Sequence, residues 1–291
     1  MKYLYYPGCS LKGSGRSYEE SLLASFKKLG VEMHELPDWN CCGATAYMAV
    51  DEMKAFALAA RNLALAERYG DGEPVTLVAP CNACYLALMK VQKYMAEYDE
   101  VGRTISDALA SADLSYRGGV RVRQSLDVLL NDVGLDLLAE KINHPLGQWK
   151  VACYYGCQAV RPFAPFDDEY NPMSMDHLMR SIGAEPVDWP LKARCCGGTL
   201  TGTIPTVGLR LSYIILREAI DRGANVVATA CPLCQFNLEC YQSQMGREYG
   251  EDLDMPIVYY SQLLGQALGI DDRSLGLQRH FVPLTAAAAV G

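Results

Sequence analysis

Cys41-Cys42-Gly43 is the feature that most constrains this chain. Two adjacent cysteines can bond to each other only through a strained ring, so each thiol needs a partner elsewhere. Cys9 lies upstream, and Cys81-Asn82-Ala83-Cys84 lies downstream. The arrangement then recurs. Cys195-Cys196-Gly197 has Cys153 and Cys157 before it and Cys231-Pro232-Leu233-Cys234 after it. This doubled order takes up eleven of the twelve cysteines.

The compartment decides what so many thiols do. The opening residues, Met1 to Cys9, have no long apolar region and no small-residue cleavage site, so they do not read as a secretory signal. No apolar run approaches the roughly 18 residues that span a bilayer. A cytoplasmic protein with reduced thiols is expected, and metal or redox chemistry rather than a disulfide scaffold. The net charge of −8 argues against a nucleic-acid partner.

The chain reads as a repeat of strands and helices. Lys2 to Tyr6 is a strand that Pro7-Gly8 breaks, which places Cys9 on a loop. Leu22, Leu23, Phe26 and Leu29 have helical spacing within Ser17 to Leu29, which Gly30 ends. A strand over Val31 to Leu36 leads to the Cys41-Cys42 loop, and Asp51 to Tyr69 is an Ala- and Leu-rich helix. Val75 to Ala79 is a strand, and Pro80-Cys81 opens a helix to Tyr98. The second half repeats this with strands Lys150 to Tyr155, Glu185 to Trp189 and Asn225 to Ala230. Its helices are Met173 to Ile182, Val207 to Arg222 and Cys231 to about Met245. Both halves close on a strand and a short helix, Val120 to Gly134 and Pro256 to Gly269. Tyr6-Pro7-Gly8-Cys9 matches Tyr154-Tyr155-Gly156-Cys157, and Asp38-Trp39 matches Asp188-Trp189.

The expected fold is therefore α/β: two duplicated domains, 1–145 and 146–291, each a small parallel sheet flanked by helices, related by a pseudo-twofold axis. The boundary falls in the polar stretch Lys141 to Trp149. Ala96 to Gly119 is less patterned and reads as an excursion or partner surface. Phe281 to Gly291 reads as a loose tail.

Ligands collect at the carboxyl ends of strands in such sheets, and the cysteine groups all follow expected strands. Cys81 and Cys84 open a helix, where free amides and the dipole favour thiolate, as do Cys231 and Cys234. Four thiolates satisfy a zinc ion or an ordinary iron–sulfur cluster. The first half offers five and the second as many as six, a surplus that suits a larger cluster or a cluster plus a reactive thiol.

The order Cys-x31-Cys-Cys-x38-Cys-x-x-Cys resembles the CCG-domain family, and Tyr5 to Cys9, Asp38 to Ala44 and Ala79 to Cys84 resemble the B subunit of heterodisulfide reductase. The resemblance covers nearly the whole chain. It implies a noncubane [4Fe-4S] cluster with five cysteine ligands in each half. It also implies a catalytic oxidoreductase subunit that cleaves a disulfide between two such clusters by one-electron steps. That disulfide is the coenzyme M–coenzyme B heterodisulfide or a related small-molecule or protein disulfide. The implied partners are the iron–sulfur and flavoprotein subunits of such an enzyme, and the disulfide substrate or a thiol carrier protein. Carried over by position, the first cluster takes Cys9, Cys41, Cys42, Cys81 and Cys84. The second takes Cys195, Cys196, Cys231 and Cys234 plus one upstream cysteine. The internal repeat favours Cys157 there; the family's longer first gap in the second motif favours Cys153, toward which the reading leans. Alternatives are an electron-relay subunit of a lactate, glycolate or glycerol-phosphate oxidase or of a succinate dehydrogenase type complex, and a zinc-stabilised scaffold without catalysis.

Beyond the motifs, Cys240 reads as a buried structural thiol, and His34 and His177 as core or surface. Arg161, Lys192 and Arg194 read as solvated charges or as holders of an anionic substrate group, and Trp39 and Trp189 as packing that shields the site.

Overall fold

Two sheets of the same topology carry the chain. In the computed structural model, which describes residues 1–44 and 46–285, both are four-stranded and parallel. The first runs β2-β1-β3-β4, from β1 (Lys2–Tyr5), β2 (Glu32–Glu35), β3 (Val75–Val78) and β4 (Val120–Arg123). The second runs β6-β5-β7-β8, from β5 (Lys150–Tyr154), β6 (Glu185–Pro186), β7 (Val226–Thr229) and β8 (Ile257–Tyr259). The order of four strands is the same in both, as duplication requires.

The helices of the first half are α1 (Gly8–Leu11), α2 (Arg16–Lys28), α3 (Ala46–Val50), α4 (Glu52–Tyr69), α5 (Asn82–Glu97), α6 (Asp99–Ala110), α7 (Ser125–Val128) and α8 (Leu135–Lys141). Those of the second are α9 (Ser174–Ser181), α10 (Leu200–Thr203), α11 (Pro205–Asp221), α12 (Pro232–Glu239), α13 (Gln242–Tyr249) and α14 (Tyr260–Ala267). Local chemistry sets the ends that matter here. Asp51 caps α4 by accepting from Lys54 N at 3.1 Å. Cys81 and Cys231 are themselves the cap residues of α5 and α12, and Pro232 stands in the first turn of α12, where its missing N–H costs nothing.

The two halves share one core. Tyr18, Leu22 and Phe26 of α2 join Tyr260, Leu263 and Leu264 of α14 in a single buried cluster that continues through both sheets. The contact is reciprocal: α2 packs on α14, and α7 packs on α9. Tyr18 stacks on Tyr259 with ring centroids 4.4 Å apart, and Tyr260 Oη donates to Ser125 Oγ at 2.8 Å. The C-terminal segment crosses the same seam, where Arg279 donates twice to Glu20, at 2.8 and 2.7 Å. A second cluster, confined to the second half, lies among β5, β7, β8 and α11–α13.

Three elements differ from expectation. The strand expected over Glu185–Trp189 is shorter, Glu185–Pro186: Glu185 N donates to Trp149 O and Val187 N to Val151 O, both at 2.9 Å, and the pairing with β5 ends there. The helix from Cys231 breaks at Cys240 and Tyr241, and Gln242 Nε2 donates to the Leu238 carbonyl that the break frees. Ala96 to Gly119 contains α6, which buries Ile105 and Leu109 against α4 and α5, so this stretch covers the protein's own core. No helix among the described residues is long and apolar enough to cross a membrane. Of the expected loose tail, Phe281 is exposed, and residues 286–291 lie outside the described residues.

Candidate metal centre

In the first half, β1 runs through buried Tyr6 to Gly8 and Cys9. Gly8 has φ +65°, and a Cβ there would come within 2.8 Å of Cys84 Sγ. The backbone thus lies against a sulfur, which only glycine permits. Cys41 and Cys9 bring their sulfurs to 3.8 Å, and Cys42 and Cys84 to 3.3 Å. Cys42, Cys81 and Cys84 are buried; Cys9 and Cys41 face outward. Tyr6 Oη donates to the carbonyl of Asn40, the residue before the cysteine pair, at 2.7 Å.

The second half repeats this construction. A Cβ on Gly156 (φ +69°) would stand 2.9 Å from Cys234 Sγ. Cys196 and Cys234 have their sulfurs 3.7 Å apart. Tyr154 Oη donates to Arg194 O at 2.6 Å, again the residue before the pair. Cys157, Cys195, Cys196, Cys231 and Cys234 line a cavity of about 200 Å³, and Asn82 of the first half joins them.

Cys153 and Cys157, the two candidates for the second half's fifth thiol, lie in different places. Cys153 lies inside β5, fully buried, in the shared core. Burial and the neighbouring Asp176 carboxylate push its thiol up, and it does not line the cavity. Cys157 follows the strand by three residues and shares a hydrogen bond with Cys195. A strand side chain points into the sheet's packing layer, whereas the loop beyond the strand end reaches the ligand side.

Within each set the sulfurs share protons. Hydrogen bonds from Cys42 and Cys9 hold the Cys41 thiol far below its ordinary value, while its partners Cys9 and Cys42 are pushed up. Cys195, hydrogen-bonded by Cys157, is lowered to about 6. Cys81 is lowered chiefly by a hydrogen bond from Cys231, across the interface between the halves. The two helix N-termini therefore face each other. Asn82 Nδ2 donates to Tyr155 O at 2.8 Å, and Gly15 approaches so closely that a Cβ on it would be 3.0 Å from Pro232 Cβ. A metal needs all these thiols deprotonated, so its binding would displace the shared protons.

Ten sulfurs in two sets, one of them lining a cavity, suit thiophilic, multi-iron groups. No three His, Cys, Asp or Glu side chains of the described residues gather closely enough for a single metal ion. The Oη of Tyr259, fully buried with no partner among the described residues, lies on the same seam, beside the Cys231 and Cys81 thiols.

The remaining candidates resolve into structural roles. Lys192 is buried and paired with Asp176 at 2.7 Å, so it is not a free anion holder. Arg161 donates to Ala193 O, and Arg194 is exposed. Trp39 packs edge-on against Tyr6, and Trp189 donates to Cys153 O at 3.2 Å. His34 and His177 are exposed, and Cys240 is half-buried at the end of α12. The sequence reading missed the Tyr6 and Tyr154 clamps, though the aligned Tyr-x-Gly-Cys phrases already marked both tyrosines. It also missed Asn237, whose Nδ2 donates to Cys196 Sγ at 3.3 Å.

A parallel-sheet duplication with a cysteine-pair loop facing a Cys-x-x-Cys helix start in each half defines the class, and the CCG cysteine-rich domain model matches residues 3–89 and 151–239. The chain belongs to the CCG cysteine-rich domain family. It is 31% identical to the 8-methylmenaquinol:fumarate reductase membrane anchor subunit of Wolinella succinogenes, over 98% of each chain. It is 28% identical to the B subunit of the ferredoxin/F420H2-dependent CoB-CoM heterodisulfide reductase of Methanosarcina acetivorans, over 97% of this chain and 94% of that one. A protein of Archaeoglobus profundus, itself described as like the B subunit of heterodisulfide reductase, is 30% identical over 93% and 92%. Among solved structures, a hypothetical protein from Helicobacter pylori superposes with a TM-score of 0.78 at 16% identity. That match covers 98% of this chain and 52% of the other, and it bears on the fold alone.

Proposed function

We propose that this chain is the disulfide-reducing subunit of a cytoplasmic heterodisulfide-reductase-type complex, with one noncubane [4Fe-4S] cluster in each duplicated half. Cys9, Cys41, Cys42, Cys81 and Cys84 hold the first; Cys157, Cys195, Cys196, Cys231 and Cys234 hold the second, with Cys157 in the place toward which the sequence leaned for Cys153. The observation that carries this is the meeting of two five-thiol sets on one seam: Cys81 and Cys231 cap the two facing helices, and Asn82, next to Cys81, lines the cavity of the second set and donates to Tyr155 O.

When bound, such clusters supply one-electron reduction. A disulfide taking two electrons and two protons leaves as two thiols. The chain's own residues do the positioning: Gly8 and Gly156 let the backbone close on sulfur, Tyr6 and Tyr154 fix the cysteine-pair loops, and the two buried clusters shield Cys42, Cys81, Cys84, Cys196, Cys231 and Cys234 from water. Electrons would come from an iron–sulfur subunit with a flavoprotein behind it.

A second reading is an electron-relay subunit that passes electrons to a quinone-linked partner. The Wolinella relative favours it. Protein purified without oxygen separates the two. Under the first reading, a candidate thiol or disulfide produces a new paramagnetic cluster signal. No change with any thiol favours the relay, and zinc with little acid-labile sulfide refutes both.

A further inference from the structure

Asn237 stands three residues after Cys234 on α12, and its side chain is fully buried. Its Nδ2 donates to Cys196 Sγ at 3.3 Å and to Gly198 O at 2.8 Å. Thr201 Oγ1 donates to its Oδ1 at 2.8 Å. A backbone carbonyl only accepts, so the amide nitrogen must face Gly198, and the flipped orientation is excluded. One N–H is thereby fixed on the carbonyl and the other is aimed at the sulfur. Ser212 Oγ donates to Cys196 O at 2.8 Å, so the same cysteine is held at its backbone as well.

The first half has alanine at both places. Ala87 stands three residues after Cys84, as Asn237 does after Cys234. Gly43 packs on Ala55 as Gly197 packs on Gly208, and four residues further along the two helices come Ala59 and Ser212. Both alanines are buried, and neither carries a donor. Cys42 and Cys196 therefore have the same place in the fold and different side-chain surroundings.

We propose that Asn237, oriented by Thr201, is a positioning residue that sets the cluster of the second half at a higher reduction potential than that of the first. One electron then moves from the Cys42 half, which is oxidised, to the Cys196 half, which is reduced, with no bond made or broken. This rests on the reading that each half holds an iron–sulfur cluster. Reduction adds negative charge to the cluster and its sulfurs. An N–H on a ligand sulfur stabilises the reduced form more than the oxidised one, and a water-free setting keeps the effect from being screened.

The test is a dithionite titration of anaerobic protein, followed by electron paramagnetic resonance, in two backgrounds. Cys42→Ala leaves the second-half cluster alone, and Cys196→Ala leaves the first. In the first background, Asn237→Ala is expected to keep iron and lower the reduction equilibrium constant about tenfold, about 59 mV for one electron. Asn237→Leu, which keeps the volume and removes the donor, gives the same shift. Thr201→Val gives a smaller one in the same direction. In the Cys196→Ala background none of the three moves the remaining potential. Should Asn237→Ala lose iron, Asn237→Leu decides alone. An unmoved second-half potential in iron-loaded variants, or equal shifts in both halves, overturns the assignment. Absence of iron and sulfide from the unsubstituted protein refutes instead the cluster reading on which it stands.

Discussion

The two cysteine-pair loops have one backbone shape and two sets of anchors. In the first half the loop is tied to α4. Asn62 Oδ1 accepts from Asn40 N at 2.9 Å, Asn62 Nδ2 donates to Asn40 O at 3.0 Å, and Arg61 reaches Asp38 O at 2.7 Å. In the second half it is tied to β5 and α9. The Lys192 carbonyl accepts from Tyr155 N and Gly156 N at 2.9 and 3.1 Å, and the Lys192 ammonium is buried on Asp176, which Tyr155 Oη also binds at 2.7 Å. Pro7 stands where the second half has Tyr155, and proline has no N–H to offer, so the first half cannot copy the second anchor. The lesson is that duplication preserved the ligand geometry and let the support diverge. The tyrosine clamp and the close packing of the glycine after each pair on a helix are common to both.

Loss of metal is the largest way to break the comparison. Cys42→Ala and Cys196→Ala should each lose about half the iron and sulfide of anaerobically purified protein. If either variant loses all of it, the two sites do not assemble independently. Next, Cys157→Ala should empty the second half, whereas Cys153→Ala should retain full iron and cost only about 1 kcal/mol of stability from lost packing. Iron loss in Cys153→Ala would reverse the ligand assignment made from the strand geometry.

Smaller effects sharpen the anchors. Lys192→Met leaves Asp176 buried without its cation and should cost about 3–5 kcal/mol in denaturant unfolding. Arg61→Ala removes a partly exposed pair with Asp38 and should cost under about 1 kcal/mol. Equal costs would mean that the two loops are supported alike. Finally, Tyr6→Phe and Tyr154→Phe each remove one buried O–H donor and should cost about 1 kcal/mol apiece. Each should disturb the cluster signal of its own half only, and disturbance of both signals by one variant would deny the clamp a local role.

Much of this was legible from the chain alone, for definite reasons. Helices such as α4 and α11 showed through apolar periodicity, and strands such as β3 and β7 through β-branched runs, because local spacing dictates which face can be buried. Glycine and proline marked the turns. The short β6 and the break before α13 were not legible, since a ladder partner and the Gln242 contact to Leu238 come from packing and hydrogen bonding in the folded chain. The thiols of the first half read as one group from their spacing, and the fold gathers their sulfurs at the strand ends. The fifth thiol of the second half was not settled, because Cys153 and Cys157 both lie near one strand end. Depth along that strand decides which one reaches the other sulfurs.

The sequence by itself determined the duplication, the sheet-and-helix alternation and which residues carry sulfur, because those follow from spacing and residue type. Tertiary structure alone decided that the halves share one core, that Cys81 faces Cys231, and that Asn237 points at Cys196 while Ala87 offers nothing to Cys42. The physical reason is distance. A hydrogen bond acts over about 3 Å in space, and residues 41 positions apart, such as Cys196 and Asn237, come that close only once the strands and helices between them have packed.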